Sequence, residues 1–263
     1  MSKIKLYCIT NVPSTKLEEL GLNLVGVGKS VFNQNYIKCD NGDNINEKEK
    51  YYSELTFHYW FWKNKLNEID DDTWIGFCQK RRFWLKSNNE NKNNSLKNII
   101  LNEVPKEWSN YNSVICEPIQ LGTKLMKLLK RGLKNIIKNP SLLFNHDHTT
   151  IKIHFDMHHG YGVLDKAIDI MNIKDREEFR NYVDTKTIYN PHIMFISKKK
   201  IINQYFNDVF PWLFECEKIF GFENLKGYDQ TRLYAYLSER YLSFWFKKYT
   251  KCIEWPWIFK EIN

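Results

Sequence analysis

The sequence predicts an α/β fold. Short apolar segments typical of strands alternate along the chain with longer segments of helical periodicity, and this alternation is typical of α/β proteins. The chain has 263 residues, of which 43% are apolar and 16% aromatic, so it can bury a full hydrophobic core. We therefore expect a single domain over residues 1–263.

Charge and cysteine content restrict the class of protein. Thirty-nine Lys and Arg against 31 Asp and Glu give a net charge of +8, which favours an anionic partner such as a nucleotide, a nucleic acid or a lipid surface. The six cysteines never form the C-x-x-C spacing of a zinc ribbon or redox pair, so we expect buried thiols in a reducing compartment. No segment approaches the ~20 apolar residues that cross a bilayer, and we expect a cytoplasmic protein.

The N-terminal part predicts two strands and a helix. Residues 3–10 (KIKLYCIT) form the first strand, which stops at the loop signal N-V-P in residues 11–13. Residues 23–28 (NLVGVG) form the second strand. A polar loop rich in Asn, Asp and Gly then leads into a helix over residues 51–66, which is aromatic over most of its surface and therefore expected to be buried. A first strand that ends in a polar loop suits a nucleotide-binding domain.

The central strand is predicted in residues 74–84 (WIGFCQKRRFW), because its apolar run is nearly unbroken. Three cations, Lys80, Arg81 and Arg82, follow that run. Ligands of open α/β sheets bind at the carboxyl ends of strands, so the cluster indicates recognition of a phosphate or carboxylate. The alternative is a solvated basic turn.

The C-terminal part predicts further strands and two long helices. Residues 112–119 suit a strand, residues 190–220 a strand followed by an amphipathic helix, and residues 228–249 a last long helix. The low-complexity loop of residues 88–95 separates the two parts. The last helix carries apolar and aromatic residues at helical spacing that we expect in the core: Tyr234, Leu237, Tyr241 and Trp245.

Residues 145–162 (NHDHTTIKIHFDMHHGYG) contain five of the seven histidines, His146 to His159, beside Asp147 and Asp156. His154 and His158 have the spacing of two zinc or manganese ligands on one helix face. Ile151, Ile153 and Phe155, which are interleaved with the polar residues of this segment, alternate as in a strand, which would separate such a pair, and we do not favour a metal. We expect an acceptor-side loop with His159 or Asp156 as the base; a polar surface loop is the alternative.

A basic amphipathic helix is predicted as an insertion at about residues 121–144. Its cations surround one apolar stripe, and the segment lacks acidic residues, a pattern typical of helices that lie in an anionic membrane interface. A helix packed on its own domain is the alternative. The candidate membrane residues are Lys124, Leu125, Leu128, Leu129, Arg131, Leu133 and Ile136.

Four blocks of the chain, in the same order, resemble a family found in capsular, exopolysaccharide and O-antigen gene clusters. They are GDNINEKEKYYSELTFHYWFWKN, WIGFCQKRRFW, NPHIMFISKKKIINQYFNDVFPWLFECEK and TRLYAYLSERYLSFWF. The family carries an unknown-function label, and its members are regarded as glycosyltransferases of the GT-A type, with galactofuranose transfer among their associated activities. The resemblance implies a GT-A-like nucleotide-sugar-binding fold with a mostly parallel central sheet flanked by helices.

The resemblance also implies roles for individual residues. Where the family reads His-Tyr-Arg-Arg-Tyr after the central strand, this chain reads Gln79-Lys80-Arg81-Arg82-Phe83, so the two arginines carry over and the histidine does not. We expect the sugar-nucleotide donor to be held by Thr10, Asn11, Asp43, Asn44, Glu54, Arg81, Arg82 and Arg232. The catalytic candidates are Asp156, His159, Asp229 and Glu239, and the acceptor-binding candidates are His158 and Tyr161.

The central strand lacks the Asp-x-Asp pair that holds a divalent metal in most GT-A enzymes, because the acidic run IDDDTW precedes the strand. Arginine forks match phosphate oxygens, so Arg81 or Arg82 is expected to replace the metal on the leaving nucleoside diphosphate. Neighbouring strand residues point to opposite faces, and only one of the two is expected to reach it.

These observations predict a glycosyltransferase that uses a nucleotide-diphosphate donor, with a UDP-sugar favoured, and a growing surface polysaccharide on a lipid carrier as acceptor. No cofactor is expected, and the enzyme would lie at the inner face of the cell membrane. The alternatives are a basic nucleic-acid-binding protein, whose exposed stacking aromatics are missing here, and a metal-dependent hydrolase built on the cluster from His146 to His159.

Overall fold

The computed structural model describes residues 3–122, 125–144 and 149–262, with only the backbone described at residues 125, 127 and 141. The described strands are β1 (Ile4–Thr10), β2 (Asn23–Gly26), β3 (Tyr36–Lys38), β4 (Trp74–Gln79), β5 (Arg82–Trp84), β6 (Ser113–Cys116), β7 (Ile119–Gln120), β8 (Ile188–Tyr189), β9 (Phe195–Lys198), β10 (Cys252–Trp255) and β11 (Trp257–Phe259). The described α-helices are α1 (Thr15–Glu18), α2 (Glu49–Tyr52), α3 (Leu55–Asn64), α4 (Leu96–Ile99), α5 (Leu125–Arg131), α6 (Leu133–Lys138), α7 (Ile151–His159), α8 (Val163–Asp169), α9 (Ile173–Thr185), α10 (Lys199–Phe220), α11 (Tyr228–Thr231) and α12 (Leu233–Tyr249).

The chain forms two compact units. The first consists of residues 1–117, 192–208 and 245–263, and the second of residues 118–191 and 209–244. Compactness does not measure whether either unit folds alone, so the single-domain expectation stays a prediction. No described helix is long and apolar enough to cross a bilayer.

The first unit is built on a mixed sheet with the strand order β10-β6-β9-β4-β1-β2-β3, to which β5 and β11 add a short antiparallel extension. Six of the seven strands on that path run in one direction, and β9 runs against both of its neighbours. The predicted α/β class with a mostly parallel central sheet is confirmed. The parallel strands β1 and β4 pair from Ile4 with Trp74 to Ile9 with Gln79, so their carboxyl ends lie side by side.

The predicted central strand is correct in its apolar part and wrong in its second half. Strand β4 is buried along its whole length, as the unbroken apolar run predicts. It ends at Gln79, and the chain turns through Lys80 and Arg81 into the antiparallel strand β5, with Arg82 opposite Gln79. The cations therefore lie in a hairpin and not along a strand that continues.

Two predicted helices are divided in the structure. The helix expected over residues 51–66 breaks at Ser53, whose φ of 53° lies in the left-handed region that few residues other than glycine adopt. The last helix breaks at Arg232, between α11 and α12. The four aromatic and aliphatic residues predicted for its core are at most 2% exposed, which confirms that part of the prediction.

The second unit is mainly helical, with the short antiparallel pair β7 and β8. Helix α7 occupies residues 151–159, so the expected loop and the strand-like alternation in that region are both wrong. Thr150 caps α7 by accepting a hydrogen bond from the backbone N–H of Ile153. The buried carboxylate of Asp175 on α9 accepts a hydrogen bond of 2.6 Å from the Tyr241 hydroxyl on α12, which ties these two helices together.

Helix α3 packs an aromatic cluster against the sheet, and His58 lies inside that cluster. The imidazole is fully buried at 4.3 Å from the ring of Phe77 and 5.6 Å from that of Phe195. Neither ring nitrogen has a hydrogen-bond partner in the described part of the chain. Burial lowers the pKa of His58 from 6.5 to about 3, so the native state holds it neutral.

We predict that His58 makes the fold sensitive to acid. Below pH 6.5 the unfolded chain binds a proton at this imidazole that the native state does not, so the free energy of unfolding falls as the pH falls towards the native pKa of about 3. The loss amounts to about 2 kcal/mol between pH 6.5 and about pH 5. His58→Leu should remove that share of the pH dependence in urea unfolding curves. Parallel pH profiles for the variant and the wild type would contradict this assignment.

Candidate active site

A cleft of about 700 Å³ opens at the carboxyl ends of β1 and β2 in the first unit. These strands end at Thr10 and Gly26, and the loops that follow them form its walls together with the segment that leads into α2. We call it the Asn11 cleft. The lining residues are Asn11, Val12, Gly28, Lys29, Ser30, Asn46, Glu47, Glu49, Lys50 and Tyr51.

A chain of hydrogen bonds joins one cation and one carboxylate through Asn11. The Lys80 ammonium donates to Asn11 Oδ1 at 2.7 Å, and Asn11 Nδ2 donates to Glu49 Oε1 at 3.2 Å. The backbone N–H of Lys80 also donates to the carbonyl of Ile9, at 3.1 Å, which fixes the first residue of the hairpin to the end of β1. The amide of Asn11 is therefore held in one orientation, with positive charge beside its oxygen and negative charge beside its nitrogen.

Gly28 allows the cleft wall to approach Glu49. Its φ of +79° is a left-handed conformation, and a Cβ at this position would meet Glu49 Oε2 at 3.1 Å. The side chain of Asn46 bonds both polar groups of the Gly28 backbone, at 2.8 Å from Oδ1 to the N–H and 3.2 Å from Nδ2 to the carbonyl. The Ser30 hydroxyl donates to the carbonyl of Asn11 at 2.6 Å. The side chains of Asn46 and Ser30 thus join three separate segments of the wall.

The two arginines expected to bind phosphate lie in the β4–β5 hairpin and do not line the Asn11 cleft. Arg81 Nη1 lies 3.3 Å from Glu261 Oε1, and Arg82 Nη1 donates to Gln79 Oε1 at 3.0 Å. Both guanidinium groups lie over the ring of Phe259. The Nε atoms of both arginines are buried without a hydrogen-bond partner among the described residues. Their role in binding a donor stays a prediction.

The other residues expected to bind the donor have local partners. The buried Thr10 hydroxyl donates to the carbonyl of Val12, at 2.6 Å, and shapes the turn after β1. Asp43 accepts a hydrogen bond from the Tyr59 hydroxyl at 3.0 Å, and Asn44 bonds the backbone of its own turn. Glu54 is the N-cap residue that precedes α3, and its side chain makes no capping bond there.

In the second unit, His159 is held in one tautomer. Its Nδ1 lies 2.6 Å from the carbonyl oxygen of Asp229, and because a carbonyl only accepts, Nδ1 carries the hydrogen and Nε2 the lone pair. The ring stacks on Tyr236 at 3.9 Å between centroids. Burial, together with the Arg240 charge, lowers the pKa of His159 to about 3, so the imidazole stays neutral.

Glu239 and Arg240, which are neighbours on α12, form an ion pair. Arg240 is 1% exposed, and its Nη1 bonds Glu239 Oε2. The guanidinium carbon lies 4.3 Å from the centre of the Tyr189 ring, and Nη2 lies 3.5 Å from His154 Nδ1. A buried guanidinium is stable only with such partners, so the pair fixes Glu239 as the carboxylate of this cluster.

The carboxylate of Asp156 is engaged in contacts within the fold. It bonds the Lys152 ammonium at 2.9 Å and accepts a hydrogen bond of 3.0 Å from the backbone N–H of Gly162, which joins α7 to the turn before α8. Lys152 also pairs with Asp165 at 2.7 Å. Burial raises the pKa of Asp156 in spite of the lysine.

The remaining candidates of the second unit lie at its surface or half-buried. The Asp229 carboxylate pairs with Arg131 at 3.1 Å, and Arg232 lies over the ring of Tyr228. His158 stacks on His154 at 4.3 Å and bonds its carbonyl through Nδ1. The ring of Tyr161 lies beneath the ammonium groups of three lysines, at 5.2 to 5.9 Å.

His154 and His158 share one face of α7, with their rings stacked at 4.3 Å. Within residues 3–122, 125–144 and 149–262, no three His, Cys, Asp or Glu side chains are arranged to hold a metal ion. His146, Asp147 and His148, which belonged to the alternative of a metal-dependent hydrolase, lie outside the described residues, as does Lys124.

A model of the family described as a domain of unknown function, DUF4422, matches residues 5–251. The chain belongs to this family. No curated protein matches the chain. Among solved structures, the apo structure of the bifunctional glycosyltransferase WbbM is similar over 98% of this chain, with a TM-score of 0.71 and 19% sequence identity. The chain spans 45% of that structure's length. At this identity the similarity shows the fold and confirms the predicted GT-A-like fold. The match of the family model confirms the predicted family.

The sequence analysis did not identify Lys80 as the cation beside the Asn11 cleft. It also did not identify Glu49 as the carboxylate that bonds Asn11. Lys80 was part of the cation cluster, but the arginines were preferred because of their geometry with phosphate. A usable signal was the position of Lys80 as the first residue after the buried run. The local sequence around Glu49 did not indicate a binding role for this residue, because α2 (Glu49–Tyr52) is a single turn of helix.

We predict that His159 keeps its proton on Nδ1 and remains neutral down to about pH 4, because its native pKa lies near 3 and a carbonyl holds Nδ1–H. Imidazole ¹⁵N chemical shifts followed over a pH titration measure both the tautomer and the protonation. His159→Gln assigns the signal by removing it. Protonation of His159 above about pH 5 would contradict the buried geometry.

Proposed function

We propose that this DUF4422 chain is a glycosyltransferase that binds a nucleotide-diphosphate sugar in the Asn11 cleft and transfers the sugar to a growing surface polysaccharide. The observation that carries the proposal is the hydrogen-bonded chain from Lys80 through Asn11 to Glu49, at the carboxyl ends of parallel strands. Ligands of open α/β sheets bind at this edge. The similarity of the fold to the WbbM glycosyltransferase supports the class of reaction.

The charges of the cleft suit the two ends of a nucleoside diphosphate. The Lys80 ammonium attracts phosphate oxygens, whereas the Glu49 carboxylate repels them and accepts hydrogen bonds from hydroxyl groups such as those of ribose. Asn11 bonds both of these groups through the two ends of its amide. We favour a uridine diphosphate donor, as the family resemblance implies.

The leaving diphosphate needs positive charge as the glycosidic bond breaks. We propose that Lys80 supplies it, together with the hairpin arginines, without a divalent metal. The acidic run before β4 supports this, because Asp71 and Asp72 pair with Lys199 and Lys198 near the start of that strand. Those carboxylates therefore lie at the end of β4 opposite to Lys80.

We propose that the second unit binds the acceptor, with the Glu239 carboxylate and His159 Nε2 accepting hydrogen bonds from its hydroxyl groups. A pKa near 3 makes the His159 imidazole a weak base but leaves it a hydrogen-bond acceptor at every working pH. Asp156 is engaged by Lys152 and Gly162, and Asp229 by Arg131. Glu239 is engaged as well, by the buried Arg240, which holds its carboxylate in one orientation.

We expect UDP to bind the purified protein equally well with Mn²⁺ and with EDTA, and Lys80→Ala to weaken that binding by about tenfold to a hundredfold. The expected loss is that of a hydrogen bond to a charged group, about 1.5–3 kcal/mol. Arg81→Ala and Arg82→Ala should weaken binding less, because Glu261 and Gln79 hold these guanidinium groups. Isothermal titration calorimetry measures all of these affinities.

Lys5→Ala is the matched control for the loss of one charge, since Lys5 is an exposed cation near the other end of β1. Release of UDP from UDP-sugars with oligosaccharide acceptors then tests transfer itself. Binding that is lost in EDTA and restored by Mn²⁺ would reject the metal-independent site. If no nucleotide binds under either condition, the proposed function fails.

We expect Gly28→Ala to weaken UDP binding more than Gly21→Ala does. Both glycines have φ near +75°, so both variants carry the same backbone strain of about 1 kcal/mol. Only at Gly28 does the added Cβ meet Glu49, whereas nothing lies within 4 Å of the Cβ at Gly21. Displacing one hydrogen-bonding group should cost about threefold to tenfold in affinity. Equal affinities for the two variants would remove Glu49 from the site.

A further inference from the structure

The predicted basic segment forms two short helices of the second unit, α5 and α6, which meet at Gly132. Hydrogen bonds from the Gly132 N–H to Leu128 and from the Ile136 N–H to Gly132 continue the helical pattern across the junction. The structure divides the predicted apolar stripe. Leu128 and Ile136 are buried in a small cluster with Leu142 and Met157, and we exclude them from any docking surface because they hold the helices to α7.

The other apolar residues of the two helices whose side chains the structure describes face solvent. Leu133 and Ile137 are 58% and 72% exposed, and Leu129 is 44% exposed. Met126 on α5 and Phe144, shortly after α6, are also exposed, at 65% and 85%. We call these five residues the α5–α6 surface. Single exposed apolar residues need no explanation, but five within one short segment indicate a surface that something covers.

Within residues 125–144 every charged residue is a cation, and Arg131 among them pairs with Asp229 of α11. Lys130, Lys134 and Lys138 are exposed, and the sequence contains no acidic residue between Glu117 and Asp147. Lys134 and Lys138 lie over the ring of Tyr161, which keeps these two ammonium groups beside α6. A surface with an apolar centre and a cationic rim is complementary to the headgroup and acyl layers of an anionic bilayer.

A second copy of this chain does not fit the same surface as well. Two such surfaces in contact would bring lysines of the same sign together at the rim, with no carboxylate in the segment to offset them. Of the anionic partners that the net charge allows, a lipid bilayer also offers an apolar layer for Leu133 and Ile137.

We propose that the α5–α6 surface binds the surface of an anionic lipid bilayer and holds the enzyme there reversibly. The buried Leu128 and Ile136 anchor the helices to the second unit, while Leu129, Leu133 and Ile137 enter the interface and the lysines contact anionic headgroups. The proposal concerns this surface alone and does not depend on which sugar, if any, the Asn11 cleft binds.

The experiment is sedimentation of the full chain with vesicles of phosphatidylcholine containing about 30% phosphatidylglycerol, against pure phosphatidylcholine. We expect binding to the anionic vesicles only, and at least a tenfold loss as salt rises from about 0.1 M to about 0.5 M, because the charge attraction is screened. Leu133→Asp with Ile137→Asp should lower binding at least tenfold. Lys130→Glu with Lys134→Glu should do the same.

Val31→Asp with Ile173→Asp is the matched control, since Val31 and Ile173 are 89% and 79% exposed and lie on other segments. All three double variants should unfold at the wild-type temperature, because every changed residue is exposed. Equal binding to neutral vesicles, no loss in the Leu133 and Ile137 variant, or an equal loss in the control would overturn the proposal. So would a dimer of the lipid-free protein that the Leu133 and Ile137 variant abolishes, because it would assign the surface to a second copy. UDP binding, measured in the same samples, keeps this result separate from the function of the cleft.

Discussion

The parallel pairing of β1 with β4 is the constraint on which the candidate site depends. Its register places Ile9 beside Gln79, and the backbone bond from Lys80 to Ile9 extends the ladder by one residue past the end of β4. Asn11 and Lys80, which are 69 residues apart in the chain, therefore come within 2.7 Å of each other. A shift of one residue in this register would turn the side chains of one strand to the other face of the sheet and separate the cation from the amide.

Buried polar side chains reduce stability in the first unit and fix side-chain orientation in the second. In the first unit, His58 is surrounded by aromatic rings with no hydrogen-bond partner among the described residues, so its burial costs stability whenever the solvent favours protonation. In the second unit, Arg240 and His159 are buried with specific partners, Glu239 and the carbonyl of Asp229. Those contacts fix the orientation of a carboxylate and the tautomer of an imidazole, which is the preorganisation that a catalytic cluster needs.

Apolar periodicity made much of the fold predictable. The unbroken run of β4 and the helical spacing of the core residues of α12 both match the structure, because burial on both faces leaves a pattern in consecutive residues. The pattern failed in residues 151–159, where alternating apolar residues indicated a strand. There the cap at Thr150 and the contacts of Leu128 and Ile136 with Met157 accompany a helix, which shows how tertiary contacts override a short local pattern.

The candidate site, like the fold, could be predicted from the sequence only in part. The sequence by itself determined the family resemblance, the α/β class and the presence of cations directly after the central strand. Only the tertiary structure decided that Lys80 and not an arginine bonds Asn11, that Glu49 completes the chain, and that Leu133 and Ile137 face solvent while Leu128 and Ile136 do not. The physical reason is that consecutive cations in a hairpin point in different directions, which depend on partners such as Glu261 and Phe259 far away in the chain. A local pattern holds no information about those partners.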